Sequence, residues 1–153
     1  MLQVEERKNP MSASQDGDTK TILVVDDSVA DRKLMSLVLV GEGYRVVEAG
    51  SGKEGLEVFK IYCDAIDLIV TDMMMPGMDG VEFIRNVRRL SSRPRVIFIS
   101  GYQAQFMAEG SPQWVELVEK SDDMVRLTQK VREVLDNKGM ILNVLNTVLV
   151  GSA

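Results

Sequence analysis

Histidine is absent from the 153 residues, and cysteine occurs once, as Cys63. Without histidine, the chain cannot form a Ser-His-Asp or Cys-His catalytic centre, a histidine zinc site or a phosphohistidine of its own. One cysteine cannot form an internal disulfide, which fits the reducing cytoplasm. Because Cys63 falls within a helical pattern, we interpret it as a small buried hydrophobic side chain rather than a reactive thiol.

Long apolar runs and an excess of positive charge are also lacking. No run reaches the roughly 20 residues that span a bilayer, so no membrane association is expected. Residues 1–19 are polar and have no signal-peptide pattern, which predicts a disordered leader. The net charge of −5 predicts no general nucleic-acid surface. The remaining composition is typical of one folded domain, which we expect over residues 20–138.

Three apolar runs that end in a polar residue predict buried strands. Ile-Leu-Val-Val precedes Asp26, Leu-Ile-Val-Thr precedes Asp72, and Val-Ile-Phe-Ile precedes Ser100. Continuous β-branched runs of this length are typical of parallel sheets covered on both faces. Residues 45–49 and 114–118 are expected to complete a set of five strands.

Helical patterns lie between these runs. Ser28 and Ser51 are each followed three residues later by an acid, as in a capping box, and Ser121 is expected to open the last helix. Residues 102–110 form only a weak, short helix candidate. Strands that alternate with helices predict a doubly wound three-layer α/β domain. The apolar faces expected to point inward are Ala30, Leu34, Leu37 and Val38; Leu56, Phe59 and Cys63; Phe83, Ile84, Val87 and Leu90; and Met124, Leu127, Val131, Val134 and Leu135.

Five polar side chains fall at or just after the carboxyl ends of the predicted strands, where open parallel sheets bind ligands. They are Asp26, Asp27, Asp72, Ser100 and Lys120. Neighbouring carboxylates repel each other unless a cation joins them, and a small set of oxygen ligands suits Mg²⁺. In such a site Asp72 could attack phosphorus, Ser100 could donate a hydrogen bond to a phosphoryl oxygen, and Lys120 could pair with its charge.

Simpler interpretations of single residues remain open at this point. Asp27 could cap the first helix, and Lys120 could be a solvated lysine before the last one. The coincidence of all five residues at strand ends favours a site. The run Gly50-Ser51-Gly52-Lys53 resembles the end of a phosphate-binding loop, but Glu54 replaces the required Ser or Thr, so we interpret the run as a helix start.

Three motifs resemble the response-regulator receiver domain of two-component signalling. They are VVDDS at 24–28, TDMMMPGMDG at 71–80 and SGY at 100–102. The resemblance covers about residues 19–138. It implies a flavodoxin-like sheet of five parallel strands in the order 2-1-3-4-5.

The resemblance also implies a role for each site residue. Asp72 would be the phosphoacceptor, and Asp26, Asp27, Asp72 and the main-chain carbonyl of Met74 would bind Mg²⁺. Ser100 would be the switch hydroxyl, and Lys120 would contact the phosphoryl group. The implied protein is not an enzyme for external substrates, but a signalling receiver that promotes its own aspartyl phosphorylation and dephosphorylation. The protein would be cytoplasmic, and its partner would be a sensor histidine kinase or a phosphotransfer protein.

The sequence departs from the family pattern near Lys120. Ser121 follows it where the family usually has proline, and Leu117 stands where the family often has an aromatic residue. The stretch between Ser100 and Lys120 is also slightly short. These departures concern the aromatic switch, for which Tyr102 is the alternative candidate. A phosphatase with a transient aspartyl intermediate and an interaction module that keeps only the fold are the competing functions.

The segment at 140–150 predicts an amphipathic helix of about three turns. It is too short to cross a membrane and lacks the basic residues of a membrane-surface helix. Such a short helix is marginal alone, so we expect it to pack on something. It could fold back on its own domain, join two copies into a homodimer, or dock a partner, and the homodimer is the favoured expectation.

Overall fold

The computed structural model describes residues 19–101, 115–120 and 124–136, in which strands and helices alternate. The leader at 1–19 (apart from its last residue), the weak helix at 102–110, Tyr102, Ser121 and the segment at 139–153 lie outside the described residues. Among the described helices, none is long and apolar enough to cross a membrane. The elements are β1 (Thr21–Val25), α1 (Val29–Gly41), β2 (Arg45–Ala49), α2 (Gly52–Tyr62), β3 (Leu68–Asp72), α3 (Gly80–Leu90), β4 (Arg95–Ser100), β5 (Val115–Glu119) and α4 (Met124–Leu135).

All five predicted strands are present, and they form one parallel sheet. The strand order is β2-β1-β3-β4-β5, which confirms the predicted flavodoxin-like order. The switch in winding direction lies between the neighbouring strands β1 and β3. Asp26 directly follows β1, and Asp72 is the last residue of β3. The register pairs Val25 with Thr71, so the two strands finish side by side. The sheet therefore brings both acids to the same edge.

Alternate residues of each strand build two separate cores. On one face, Ile22 and Val24 belong to a buried cluster that α1 and α4 cover. On the other face, Leu23 and Val25 belong to a cluster that α2 and α3 cover, with Phe59 and Phe83 at its centre. This arrangement explains why the strands have continuous apolar runs instead of alternating patterns.

The predicted inward face of α1 is wrong. Met35 and Leu39 are buried, whereas Leu34 and Leu37 are 48% and 72% exposed. After Lys33 the helix is apolar on almost every side, so periodicity alone could not select the side that packs on β1. Two smaller corrections concern helix ends: Leu90 is 52% exposed at the end of α3, and Cys63 is only partly buried after α2.

Both predicted serine caps are present, although the reciprocal bonds differ from those of a capping box. The Ser28 hydroxyl accepts from the Asp31 N–H, and the Ser51 hydroxyl accepts from the Glu54 N–H. Asp26 accepts from the Ser28 N–H, and Glu54 accepts from the N–H of Gly50 rather than from that of Ser51. The Gly50–Lys53 run is thus a helix start, as predicted, and the N-cap of α1 is Ser28 rather than Asp27.

Gly80 allows α3 to begin directly against the end of β3. A Cβ at this position would lie 2.1 Å from the carbonyl oxygen of Asp72 and 2.9 Å from the Cα of Met73. The Gly80 N–H also donates to the carbonyl of Met73 at 2.9 Å. Because both obstructing atoms belong to the main chain, they cannot move aside without displacing the end of β3.

We expect Gly80→Ala to lower the free energy of unfolding of the domain by about 1–3 kcal/mol, the usual cost of overpacking. The matched control is Gly41→Ala at the end of α1, where no atom lies within 4 Å of the added Cβ. There the change should be neutral or stabilising by up to about 1 kcal/mol. Urea unfolding of both variants measures the difference, and equal stabilities would contradict the steric argument.

Candidate functional site

Three carboxylates meet at the carboxyl edge of the sheet, as predicted. One oxygen from each of Asp26, Asp27 and Asp72 lies within 4.8 Å of the others. Asp26 and Asp72 are buried, whereas Asp27 is exposed. The group therefore has two fixed acids in the floor and one at the rim, which leaves its open side accessible to water.

The Asp26 carboxylate has one satisfied oxygen and one unsatisfied oxygen. Its Oδ1 accepts a hydrogen bond from the Ser28 N–H at 2.8 Å. Its Oδ2 is buried without a hydrogen-bond partner and lies 3.7 Å from the Lys120 ammonium nitrogen. A guanidinium N–H of Arg32 donates to the Asp26 carbonyl at 2.7 Å and helps to fix the backbone. A buried carboxylate oxygen without a donor is a position that a bound cation would satisfy.

Burial raises the pKa of Asp26 above its ordinary value of 3.8. The hydrogen bond from the Ser28 N–H opposes this effect, while the neighbouring charge of Asp72 adds to it. Attraction to Lys120 also lowers the pKa, but not enough to cancel the effect of burial. The metal-free site thus holds its carboxylates at an electrostatic cost.

Both carboxylate oxygens of Asp72 are hydrogen-bonded. Its Oδ1 accepts from the Met74 N–H at 3.0 Å, and its Oδ2 accepts from the Lys120 ammonium group at 2.9 Å. The Met74 side chain is 72% exposed. The loop after β3 therefore turns its main chain toward Asp72, while the role of the Met74 carbonyl as a metal ligand stays a prediction.

Lys120 reaches across the site from the end of β5. Besides Asp72, its ammonium nitrogen lies 3.5 Å from Asp31 and 3.7 Å from Asp26. Its N–H donates to the Ser100 carbonyl at 2.7 Å, which fixes its backbone to the end of β4. Burial lowers the pKa of Lys120, but the hydrogen bond to Asp72 and the other acids outweigh this effect and raise it. The interpretation of Lys120 as a merely solvated lysine is wrong.

Ser100 lies at the same edge of the sheet. It is buried as the last residue of β4, directly after Ile99, which pairs with Asp72 across the sheet. The role of its hydroxyl as a donor to a phosphoryl oxygen stays a prediction. The sequence interpretation missed Asp31, the third acid around Lys120. The Ser28 cap could have indicated it, since an acid three residues after an N-cap lies in the first turn, beside the strand ends.

A family model and sequence relatives agree with this geometry. The model for the response regulator receiver domain matches residues 22–132. The chain belongs to the response-regulator receiver domain family. It is 32% identical over 120 residues to the sensor kinase CckA of Brucella abortus, a match that covers 77% of this chain and 13% of that protein. It is 35% identical over 81 residues to the sporulation initiation phosphotransferase F of Bacillus subtilis, with 53% and 64% covered. The chain thus spans less than two thirds of either relative.

A solved structure supports the same assignment. The receiver domain resembles one chain in the crystal structure of the CheX-CheY-BeF₃-Mg²⁺ complex from Borrelia burgdorferi, with a TM-score of 0.68 and 27% sequence identity. The similarity covers 75% of this chain and 88% of the other. The predicted fold and family are therefore confirmed.

The acidic cluster of this receiver domain fits a small divalent cation. Carboxylate oxygens are the preferred ligands of Mg²⁺, which usually retains several waters and therefore suits a site with an open side. Asp26 contributes a buried carboxylate with one unsatisfied oxygen, and exposed Asp27 completes the group of three acids. The Lys120 ammonium group, 2.9 Å from Asp72 and 3.7 Å from Asp26, partly neutralises the acids.

We expect Asp26→Asn to stabilise the metal-free domain near neutral pH by about 1–2 kcal/mol, the scale of one unsatisfied buried polar group. Lys120 would keep Asp72 and Asp31 as partners. Because the folded-state pKa of Asp26 is raised, the parent protein should lose stability as pH rises from 3.8 through that pKa. The variant should lack this part of the pH dependence.

The control for this prediction is Asp31→Asn, which removes an acid that also contacts Lys120 but whose side chain is 52% exposed. Its free energy of unfolding should change by less than about 0.5 kcal/mol. Chemical denaturation between pH 4 and pH 8, with chelator present, measures both variants. A loss of stability in Asp26→Asn would show that its charge stabilises the fold.

Proposed function

We propose that this receiver domain accepts a phosphoryl group on Asp72, with Mg²⁺ held by Asp26, Asp27, Asp72 and the main-chain carbonyl of Met74. The observation that carries the proposal is the placement of Asp72 among two further carboxylates, with the Lys120 ammonium group 2.9 Å from its Oδ2. A nucleophilic carboxylate needs positive charge around it to approach a phosphoryl anion. Lys120 supplies part of that charge, and Mg²⁺ would supply the rest.

The residues suggest how a phosphoryl group would be transferred from a donor to Asp72. A carboxylate oxygen of Asp72 forms a bond to phosphorus, while the bond between phosphorus and the donor nitrogen breaks and the donor keeps the electron pair. Lys120 then pairs with the phosphoryl oxygens instead of the carboxylate, and the Ser100 hydroxyl donates to one of them. Attack by water on the same phosphorus would return Asp72 to its free form. In this sense the domain promotes its own phosphorylation and dephosphorylation.

The proposed phosphodonor is a sensor histidine kinase or a phosphotransfer protein. This chain contains no histidine, so a phosphohistidine must come from a partner. Relatives named as a sensor kinase and as a phosphotransferase support this class of partner. We further propose that this exchange takes place in the cytoplasm. With a net charge of −5, neither nucleic acid nor an anionic membrane is proposed as a partner.

Replacing Asp27 should weaken Mg²⁺ binding without unfolding the domain. Asp27→Asn removes a charged ligand from the rim of the site, where the side chain is exposed. We expect the Mg²⁺ dissociation constant to rise roughly tenfold or more, equivalent to about 1.4 kcal/mol, and the melting temperature to stay the same or increase. Isothermal titration calorimetry and thermal unfolding measure the two quantities.

Asp31→Asn serves as the control for Mg²⁺ binding, since Asp31 is a nearby acid outside the three-carboxylate cluster. It should change the dissociation constant much less than Asp27→Asn does. A large loss of stability in Asp27→Asn with unchanged Mg²⁺ affinity would remove Asp27 from the metal site.

Labelling of Asp72 tests the proposed function directly. We expect a small phosphodonor or a panel of sensor kinases to add one phosphoryl group to the parent domain only when Mg²⁺ is present. Asp72→Asn should abolish labelling because an amide cannot replace the nucleophilic carboxylate. Intact-mass spectrometry measures the labelled fraction.

The control is Asp79→Asn, in the same loop, because asparagine can replace aspartate as the N-cap of α3. It should be labelled like the parent. Equal labelling of Asp72→Asn and the parent would exclude Asp72 as the phosphoacceptor. Rapid turnover of a phosphate ester in excess over the protein would instead favour a phosphatase.

A further inference from the structure

The Lys120 ammonium group lies among three acids that compete for its charge. Its nitrogen is 2.9 Å from Asp72 Oδ2, 3.5 Å from Asp31 Oδ2 and 3.7 Å from Asp26 Oδ2. Asp26 and Asp72 are buried, whereas the Asp31 side chain is 52% exposed. Asp31 is also the one of these three acids that the proposed phosphoryl transfer does not use.

The start of α1 holds Asp31 beside Lys120. The Asp31 N–H donates to the Ser28 hydroxyl at 3.3 Å, and the Arg32 N–H donates to the Ser28 carbonyl at 2.9 Å. A guanidinium N–H of Arg32 donates to the Asp26 carbonyl, so the first turn of α1 is tied to the end of β1. The positive end of the helix dipole also favours an acid in this turn. The fold therefore keeps a negative charge next to Lys120 that lies outside the three-carboxylate cluster.

A cavity of about 60 Å³ beside Lys120 gives its side chain room to change partners. Asp26, Asp31 and Lys120 line the cavity together with Glu119 and six apolar side chains. The main chain of Lys120 is fixed by its hydrogen bond to the Ser100 carbonyl. Because lysine has a flexible four-carbon stem, the ammonium group can move while the backbone stays in place.

We propose that Asp31 restrains phosphoryl transfer to Asp72 by competing with the phosphoryl group for the Lys120 ammonium group. This inference rests on the proposed function and concerns the regulation of the same site. During transfer, Lys120 has to turn from the Asp72 carboxylate to the phosphoryl oxygens, and its attraction to Asp31 opposes that movement. Asp31 is thus a positioning residue that acts through Lys120, and it does not bind the metal.

The exposure of Asp31 limits the size of the effect. Water screens its attraction to Lys120, so the contact has the strength of an ion pair at the protein surface. Loss of such a pair corresponds to a change of about two- to fivefold in a rate or an affinity. Asp31 therefore moderates the transfer without preventing it.

Initial rates of Asp72 labelling by phosphoramidate test this proposal in the full chain. Saturating Mg²⁺ keeps differences in metal affinity out of the comparison. Asp31→Asn should be labelled about two- to fivefold faster than the parent, whereas Asp31→Glu, which keeps the charge, should retain the parent rate. The matched control is Asp79→Asn, because Asp79 is another exposed acid close to the end of β3 and its side chain caps α3. It should also retain the parent rate.

The same comparison in a Lys120→Met background shows whether Asp31 acts through Lys120. There, Asp31→Asn should leave the rate unchanged. The dissociation constant of beryllofluoride, a phosphoryl mimic that binds without a transfer reaction, provides a second measurement by fluorine NMR. It should fall about two- to fivefold in Asp31→Asn only when Lys120 is present, and it decides the question if the Lys120→Met proteins are not labelled. Circular dichroism verifies folding of each variant.

Faster labelling of Asp31→Asn that requires Lys120 supports the proposal. Equal acceleration in both backgrounds would assign the effect to direct repulsion between Asp31 and the donor, and would overturn it. An unchanged or slower rate, or the same acceleration in Asp31→Glu or Asp79→Asn, would overturn it as well. A parent protein that is not labelled at Asp72 would instead contradict the proposed function, and this inference with it, so the two failures give different results.

Discussion

Repulsion between carboxylates at one sheet edge is the constraint on which the rest of this site depends. The parallel sheet ends β1 and β3 side by side, so Asp26 and Asp72 are brought together as a consequence of the fold. Their burial removes the water that would otherwise screen their charges. Lys120 offsets the repulsion from the end of β5, but one oxygen of Asp26 is left without a hydrogen-bond donor. The negative charge of the site therefore favours binding of a cation, because Lys120 neutralises it only in part.

Main-chain groups, more than side chains, hold these charges in place. The N–H groups of Ser28 and Met74 each donate to a carboxylate oxygen, and the Lys120 N–H donates to the Ser100 carbonyl. Gly80 lets α3 approach the end of β3 closely enough to fix the loop that contains Met74. Because these groups are fixed by backbone geometry, the site is organised before any phosphoryl group arrives. Such preorganisation lowers the cost of stabilising new charge.

The sequence predicted the strands and the acidic cluster, because both depend on features that are local in sequence. Continuous β-branched runs identify buried strands, and a parallel topology then places their last residues at one edge. The inward face of α1 could not be predicted, since apolar residues surround most of the helix and only packing on the sheet selects Met35 and Leu39. Asp31 was missed for a related reason: its contact with Lys120 joins residues 89 positions apart.

The same helix that escaped sequence prediction links the site to the protein surface. Its first turn supplies the Ser28 cap and places Asp31 beside Lys120, and Arg32 binds the Asp26 carbonyl. Its outer side carries the apolar residues that made the periodicity ambiguous. A helix that only needed to cover β1 would require no leucine at position 37, which is 72% exposed. The core does not account for all the apolar residues of α1, because Leu37 and Val40 are more than half exposed. The helix that surrounds Asp26 and Lys120 with polar groups at its start thus presents apolar side chains to the surface further along.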